Sequence, residues 1–385
     1  MSDFTADIVH INPLEIAELK PLELQYWNNP NDFDRLISLT PELDNVPQMI
    51  ELKKSQFHNR NEICDILLNQ YQDIGDDNIL HQINLIKQDH TFTIICAHQA
   101  LLLGGSLYWW YKIIHTIRLS IDLKKTYPEY EFIPIYYAGN EDHDFIEINH
   151  LNLFSKEYSW TNHQEGACGR MNPSEIAKVI DEIALVFQNN KFATTELNLF
   201  KELLVQSNQY DDFFRKFVHH LFGKYGLVYF NPDDKQAKLL LSPYIASELV
   251  DHSIVKTSKE SLRVLQEMSF QSQAHIRDIN LFYLIDNYRV GIYYEDSKYH
   301  TKDFKYNWDQ INILQELKEF PERFSPNVVF RPIYQESLFP NLIFVGGGAE
   351  VAYWLQLKSA FQNWNIPYPI LWRRFSAIIF TENTL

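Results

Sequence analysis

Cysteine is scarce in this chain. Cys64, Cys96 and Cys168 are scattered over 385 residues with no C-x-x-C spacing. An odd, dispersed set argues against a disulfide framework and is expected of a reduced, cytoplasmic protein. Positive charge is also in deficit: 34 Lys and Arg stand against 50 Asp and Glu, a formal charge of −16. Such a field repels polyphosphate at long range, so nucleic acid and anionic membrane are poor partners. A small anionic ligand stays compatible if Arg, Lys or backbone N–H groups focus positive potential locally. Long apolar runs are missing as well. The stretch Ala100 to Tyr111 is interrupted by Gly104, Gly105 and Ser106, whereas a membrane span needs about 20 apolar residues. The start, Met1-Ser2-Asp3-Phe4-Thr5, shows no charged segment leading into an apolar one. Internal repeats and Pro/Gly/Ser linkers are absent.

What is present is core material: 45% of residues are hydrophobic and 15% aromatic, enough for one large domain or two smaller ones. Residues 12–90 read mainly as helices punctuated by Pro30, Pro41 and Pro47. Thr91 to Cys96 is a β-rich run. A helix follows, with Leu107, Trp110, Tyr111, Ile114, Ile117 and Ile121 at helical spacing. Pro128 closes it, and Phe132 to Ala138 is a second buried strand, so a parallel pair with a right-handed crossover is expected. Residues 173–225 read as a helical insert, 226–230 as a strand, and 280–298 as a hairpin turning at Asp286-Asn287. Asn341 to Val345 and Tyr368 to Trp372 are apolar strands flanking a helix from Glu350 to Asn363. These patterns predict an α/β fold with a Rossmann-like open parallel sheet and helical connecting inserts. The division expected is 1–165 for the first half of the core with N-terminal helices, 166–325 for a helical and hairpin insert holding the strand near 226–230, and 326–385 for the second half.

Ligands of open α/β sheets bind beyond the carboxyl ends of the strands, where three turns fall. In the first, His98 and Gln99 leave a strand, and Gly104 and Gly105 let the backbone approach a ligand near a helix start. No Gly-Lys-Ser/Thr completes a Walker loop, and a plain turn with a structural His is the ordinary alternative. The second is Asn140-Glu141-Asp142-His143-Asp144-Phe145, with Glu147, Asn149 and His150 behind it. Clustered carboxylates repel unless cations, hydrogen bonds or raised pKa values compensate. They could orient an amine or act as a base; N-capping by Asn140 or Asp142 is the alternative. Metal ligation is the weakest reading, because adjacent side chains of Asp142, His143 and Asp144 cannot all face one ion on a helix. The third is Gly346-Gly347-Gly348-Ala349-Glu350, a strand-to-helix turn suited to ligand contact or to tight packing. Arg331, Gln335, Arg373 and Arg374 lie among apolar residues, and arginines inside apolar strands need anionic partners: either a ligand or the Glu141–Glu147 cluster. Trp109-Trp110-Tyr111 reads as core, His219-His220 as structural, and Cys168 as no activated nucleophile.

Several ordered segments carry a resemblance. His98-Gln99 through Gly104-Gly105-Ser106-Leu107-Tyr108, followed by Tyr111-Lys112, is one. Asn140 to His150, Gly166-Ala-Cys-Gly-Arg-Met171, Tyr225-Gly-Leu-Val with Asn231-Pro-Asp-Asp234, and Asn280 to Tyr283 come next. Phe324 to Glu336 and Gly346 to Trp354 complete the set. Over roughly residues 90–376 the chain resembles the bacillithiol-forming cysteine-adding enzyme family. The resemblance implies a Rossmann-like core with inserts, a ligase joining the carboxyl group of cysteine to the amine of glucosaminyl malate, and activation by ATP or another nucleotide. It implies that His98 and Gln99 stabilise charge on the activated group, and that Asp142, His143 or Asp144 orients or deprotonates the amine. Gly104, Gly105 and Gly346, Gly347 and Gly348 would line the cleft. Arg331 and Arg374 would hold malate carboxylates or phosphate, with Glu141, Glu147, Asn149, Gln335 and Glu350 completing the substrate site. No metal is implied.

The chain departs from the family at Ala97 and Ala349, where glycine is usual, and at Ser106, where proline is. A Cβ at Ala97 or Ala349 would be strained if the backbone there took positive φ. The family's C-terminal coiled coil is expected to be absent after Thr384-Leu385, leaving dimerisation open and a separately encoded C-terminal part as an expected partner. A non-catalytic paralogue binding the same small anions is the alternative function.

Overall fold

The computed structural model describes residues 9–16 and 19–379; the polar start Met1 to Thr5 and the end Thr384-Leu385 lie outside them. Helices Pro21–Asn28, Val46–Gln56, Arg60–Gln70 and Asp77–Leu85 precede the first strand. Strand β1 (Thr91–His98) then leads through the helix Leu107–Thr126 to β2 (Glu131–Ala138). The two strands pair in parallel, from Thr91 opposite Glu131 to His98 opposite Ala138. A hairpin, β3 (His150–Leu153) and β4 (Lys156–Ser159), and three helices, Ile176–Val186, Lys191–Val205 and Tyr210–Phe222, come before β5 (Val228–Phe230). After the long helix Lys235–Asp251 the chain forms β6 (Leu281–Ile285), β7 (Tyr288–Glu295), β8 (Lys298–Thr301), β9 (Asn307–Trp308) and β10 (Phe324–Pro326). The helix Arg331–Leu338, β11 (Asn341–Gly346) and β12 (Ile370–Arg373) finish it.

Two five-stranded sheets result. The core sheet runs β12-β11-β1-β2-β5 and the second β10-β6-β7-β8-β9; every core-sheet pairing is parallel. β1 and β11 are buried almost throughout, as expected of parallel strands covered on both faces, whose sequences read as continuous apolar runs. The chain builds outward from β1 through β2 to β5, then returns on the other flank as β11 and β12. Connections therefore leave β1 and β11 in opposite directions, opening a crevice at their carboxyl ends. This is the Rossmann-like α/β core expected from the sequence.

Three local expectations are corrected. The helix Leu107–Thr126 turns largely another face to the sheet: of the expected residues Ile117 is buried but Leu107, Ile114 and Ile121 are exposed, while Trp109, Lys112, Ile113, Thr116, Ser120 and Leu123 are buried. The hydroxyls of Thr116 and Ser120 donate to the carbonyls of Lys112 and Thr116, at 2.9 and 3.0 Å. A hydroxyl that donates to its own helix is satisfied when buried, and its small side chain allows close packing. The single helix expected at 350–363 is two, Gly348–Trp354 and Lys358–Asn363. Arg331 and Gln335 lie on a helix, not in an apolar strand. Neither Ala97 nor Ala349 has positive φ, so the departures from glycine cost no backbone strain. Among the described residues no helix is long and apolar enough to cross a membrane.

A candidate active site at the strand ends

A cleft of about 560 Å³ opens where β1, β2 and β11 end. His98 and Gln99 reach it from β1, Tyr137, Ala138 and Gly139 from β2, and Gly347, Gly348 and Glu350 from the turn after β11. Arg374 follows β12, and the second sheet contributes Arg289 from β7 and Asn327 just past β10. Of the residues predicted from sequence, His98, Gln99, Glu141, Asp142, Glu147, Arg331, Gly347, Gly348, Glu350 and Arg374 share this one space.

The acidic residues arrive already engaged. Buried Glu141 is ion-paired to Lys238, whose ammonium also donates to the Phe324 carbonyl at 2.7 Å. Asp142 accepts from the Gln99 amide at 2.9 Å, from its neighbour's backbone N–H at 2.8 Å, and from Arg289 at 3.3 Å. Burial alone would raise the Asp142 pKa, but the His143 hydrogen bond and the Arg289 charge hold it well below the usual carboxylate range. Asp142 is therefore a poor proton acceptor and a good tether. Glu350 pairs with Lys112 and accepts the Gly347 N–H at 2.8 Å. Lys112 also donates to the Ala97 carbonyl at 2.8 Å.

Two arginines are different. Arg331 donates to the Gln335 side-chain oxygen at 2.9 Å and the Tyr353 hydroxyl at 2.8 Å. Arg374 donates to the Phe375 carbonyl at 3.1 Å and the Ser376 hydroxyl at 3.0 Å. Neither forms a salt bridge with any described carboxylate; the alternative pairing with the Glu141–Glu147 cluster does not occur, and of the three arginines predicted from sequence Arg373 is the one neutralised, by Glu23 at 2.6 Å. Guanidinium groups that line a cleft with no carboxylate at ion-pair distance favour an anion.

His98 is held neutral. Burial first, then the Lys112 ammonium, push its pKa down to about 4. Its Nδ1 lies 3.1 Å from the Gln99 carbonyl, which can only accept, so Nδ1 carries the proton and Nε2 is the acceptor of the neutral ring. In the ligand-free protein the ring is thus a neutral acceptor at Nε2 and not a standing cation.

Several predicted residues fall outside the cleft. Gly104 and Gly105 have φ of +84° and +42°, and a Cβ on them would meet Trp110 and Leu101; they shape the turn instead of touching a ligand. Gly346 packs against Phe344 and Glu350. The Glu23 carboxylate occupies the space where a Cβ of Gly348 would sit. The Gly347 N–H is already given to Glu350. Asp144 and His143 are exposed; His143 accepts from Arg289 at 2.7 Å. The Asn149 carbonyl accepts the Trp160 backbone N–H at 2.7 Å, bracing the β3–β4 hairpin. Gln335 is buried behind Arg331. Asn140 caps no helix: its amide reaches Asp211 and, at 3.0 Å, Asn231. Cys168 is buried and its thiol is pushed up to about 12 by burial.

Sequence reasoning missed Arg289, Tyr353 and Tyr137 and gave no role to Lys112. Arg289 sits between Tyr288 and Val290 on a hairpin strand, and a lone charge in such an alternation was the available sign. Tyr353 and Lys112 lay inside segments already noted for their resemblance.

Residues 9–375 match the family model described as bacillithiol biosynthesis BshC, N-terminal Rossmann-like domain. A relative from Flavobacterium johnsoniae, named "Putative cysteine ligase BshC", is 38% identical over 360 residues, covering 93% of this chain and 68% of its own length. One of the same name from Christiangramia forsetii is 38% identical over 371 residues, covering 94% and 68%. A more distant one, from Bacillus mycoides, is 26% identical over 372 residues, covering 92% and 69%.

Proposed function

This chain belongs to the BshC family of bacillithiol biosynthesis, and from that premise we propose that its strand-end cleft joins the carboxyl group of cysteine to the amine of glucosaminyl malate. The observation that carries the reading is the pair Arg331 and Arg374, enclosed in one cleft on a chain of charge −16 and matched to no carboxylate of their own. A malate moiety supplies two carboxylates, and each charge-assisted hydrogen bond to one contributes about 1.5–3 kcal/mol. The neutral His98 presents Nε2 as an acceptor able to orient the attacking amine. Asp142, tethered by Gln99 and Arg289, holds the turn against the second sheet and leaves proton transfer to other groups. Forming the amide from a free carboxylate is uphill in water, so an activating co-reactant is required.

The test is product formation. Purified chain, cysteine and glucosaminyl malate are incubated with and without ATP, and bacillithiol is followed by mass spectrometry alongside equilibrium binding of glucosaminyl malate. Binding together with new product supports the ligase reading. Binding without product under either condition replaces it with a non-catalytic binding protein, and absence of binding overturns it.

A further inference from the structure

Behind Arg331 runs a chain of polar contacts that no surface charge explains. Lys53, on the helix Val46–Gln56, and Glu336 are both fully buried and ion-paired at 2.9 Å. Replacing a buried ion pair by apolar residues is often neutral or stabilising, so fold stability alone is a weak reason for this one. The same carboxylate accepts from the Asn341 amide at 2.6 Å and from the Gln335 amide nitrogen at 2.9 Å. Gln335 in turn offers its oxygen to Arg331 at 2.9 Å, and the other Arg331 nitrogen donates to Tyr353 at 2.8 Å.

The direction of this relay follows from donor and acceptor chemistry. An ionised carboxylate only accepts and a guanidinium only donates. Gln335, held between them, has one orientation in which both contacts are satisfied: nitrogen to Glu336, oxygen to Arg331. Flipping the amide would set two acceptors against each other on one side and two donors on the other, each buried and unsatisfied. Lys53 supplies the positive charge that lets Glu336 sit in this interior.

We propose that Lys53 and Glu336 are positioning residues that fix the Gln335 amide and thereby aim the Arg331 guanidinium at the anionic end of the substrate. The inference rests on the reading of Arg331 as a substrate carboxylate site. Lys53 comes from a part of the sequence where no site residue is expected, 278 positions from the arginine it directs.

The experiment is a mutant cycle on the full chain, read by equilibrium binding of L-malate and by KM and kcat for the amide-forming reaction. Arg331→Ala is expected to weaken malate binding about tenfold or more. The paired substitution Lys53→Met with Glu336→Gln removes both charges at similar volume, and Gln335→Leu removes the acceptor facing Arg331. Each is expected to weaken binding several-fold, raising KM more than it lowers kcat, and to have no further effect in the Arg331→Ala background. Thermal unfolding identifies the relay variants that remain folded; should the paired variant not fold, Gln335→Leu decides. Equal losses with and without Arg331, or full affinity in Gln335→Leu, overturn the relay while leaving Arg331 at the site. Undiminished binding in Arg331→Ala overturns the substrate reading itself, and the relay with it.

Discussion

At the scale of single residues, the site is governed by which charges already have partners. Glu141, Asp142 and Glu350 are each matched to a cation, so the acidic string that dominates the sequence contributes little free negative charge. His98 shows the same logic for protons. Its pKa lies near 4 in the fold against about 6.5 in an unfolded chain, so between these values the unfolded state binds more protons. The stability it contributes is full above pH 6.5 and is lost as pH falls toward 4. Replacing it by Gln should therefore flatten acid destabilisation: between pH 7 and 5 the wild type loses up to about 2 kcal/mol more than His98→Gln. Urea unfolding at the two pH values measures this, and parallel losses in both proteins would show that His98 is not held neutral. None of this balance was legible beforehand. The motif showed that His98 and Asp142 belong to one site, but the partners that set their charge, Lys112 and Arg289, come from a helix and from a second sheet.

At the scale of elements, the turn after β1 decides where His98 and Gln99 point. Gly105 sits at φ +42° and ψ −120°, with Leu101 2.9 Å from where a Cβ would be. Gly105→Ala should cost about 1–3 kcal/mol, seen as a lower midpoint in urea, and an unchanged midpoint would show the turn to be relaxed. Elements with one strong period were readable from sequence. β1, β2, β11 and β12 fall within a few residues of expectation because parallel strands buried on both faces are continuous apolar runs. The helix Leu107–Thr126 was found but its face was mistaken, since Ile and Leu on one side competed with Thr116 and Ser120 on the other. Packing against the sheet buries Trp109, Ile113 and Leu123 together with the small polar residues among them. The expected 280–298 hairpin was only part of a sheet, because β8, β9 and β10 are two to four residues long and carry too little pattern to separate from loops. The helix holding Arg331 went unread because it is short, although proline at its second position is well tolerated in the first turn of a helix.

At the scale of the whole molecule, the placement of charge is the functional statement. A chain of charge −16 gathers Lys112, Arg289, Arg331 and Arg374 around one cleft, at the point where the core sheet reverses its order of growth. Topology accounts for the crevice, and the second sheet closes over it with Arg289 and Asn327. The measurement that tests this most directly is a crystal structure of the chain with glucosaminyl malate bound. The malate carboxylates are predicted to lie within hydrogen-bond distance of Arg331 and Arg374, with the amine facing His98. Density for the ligand elsewhere on the molecule, with that cleft holding only water, would contradict the account.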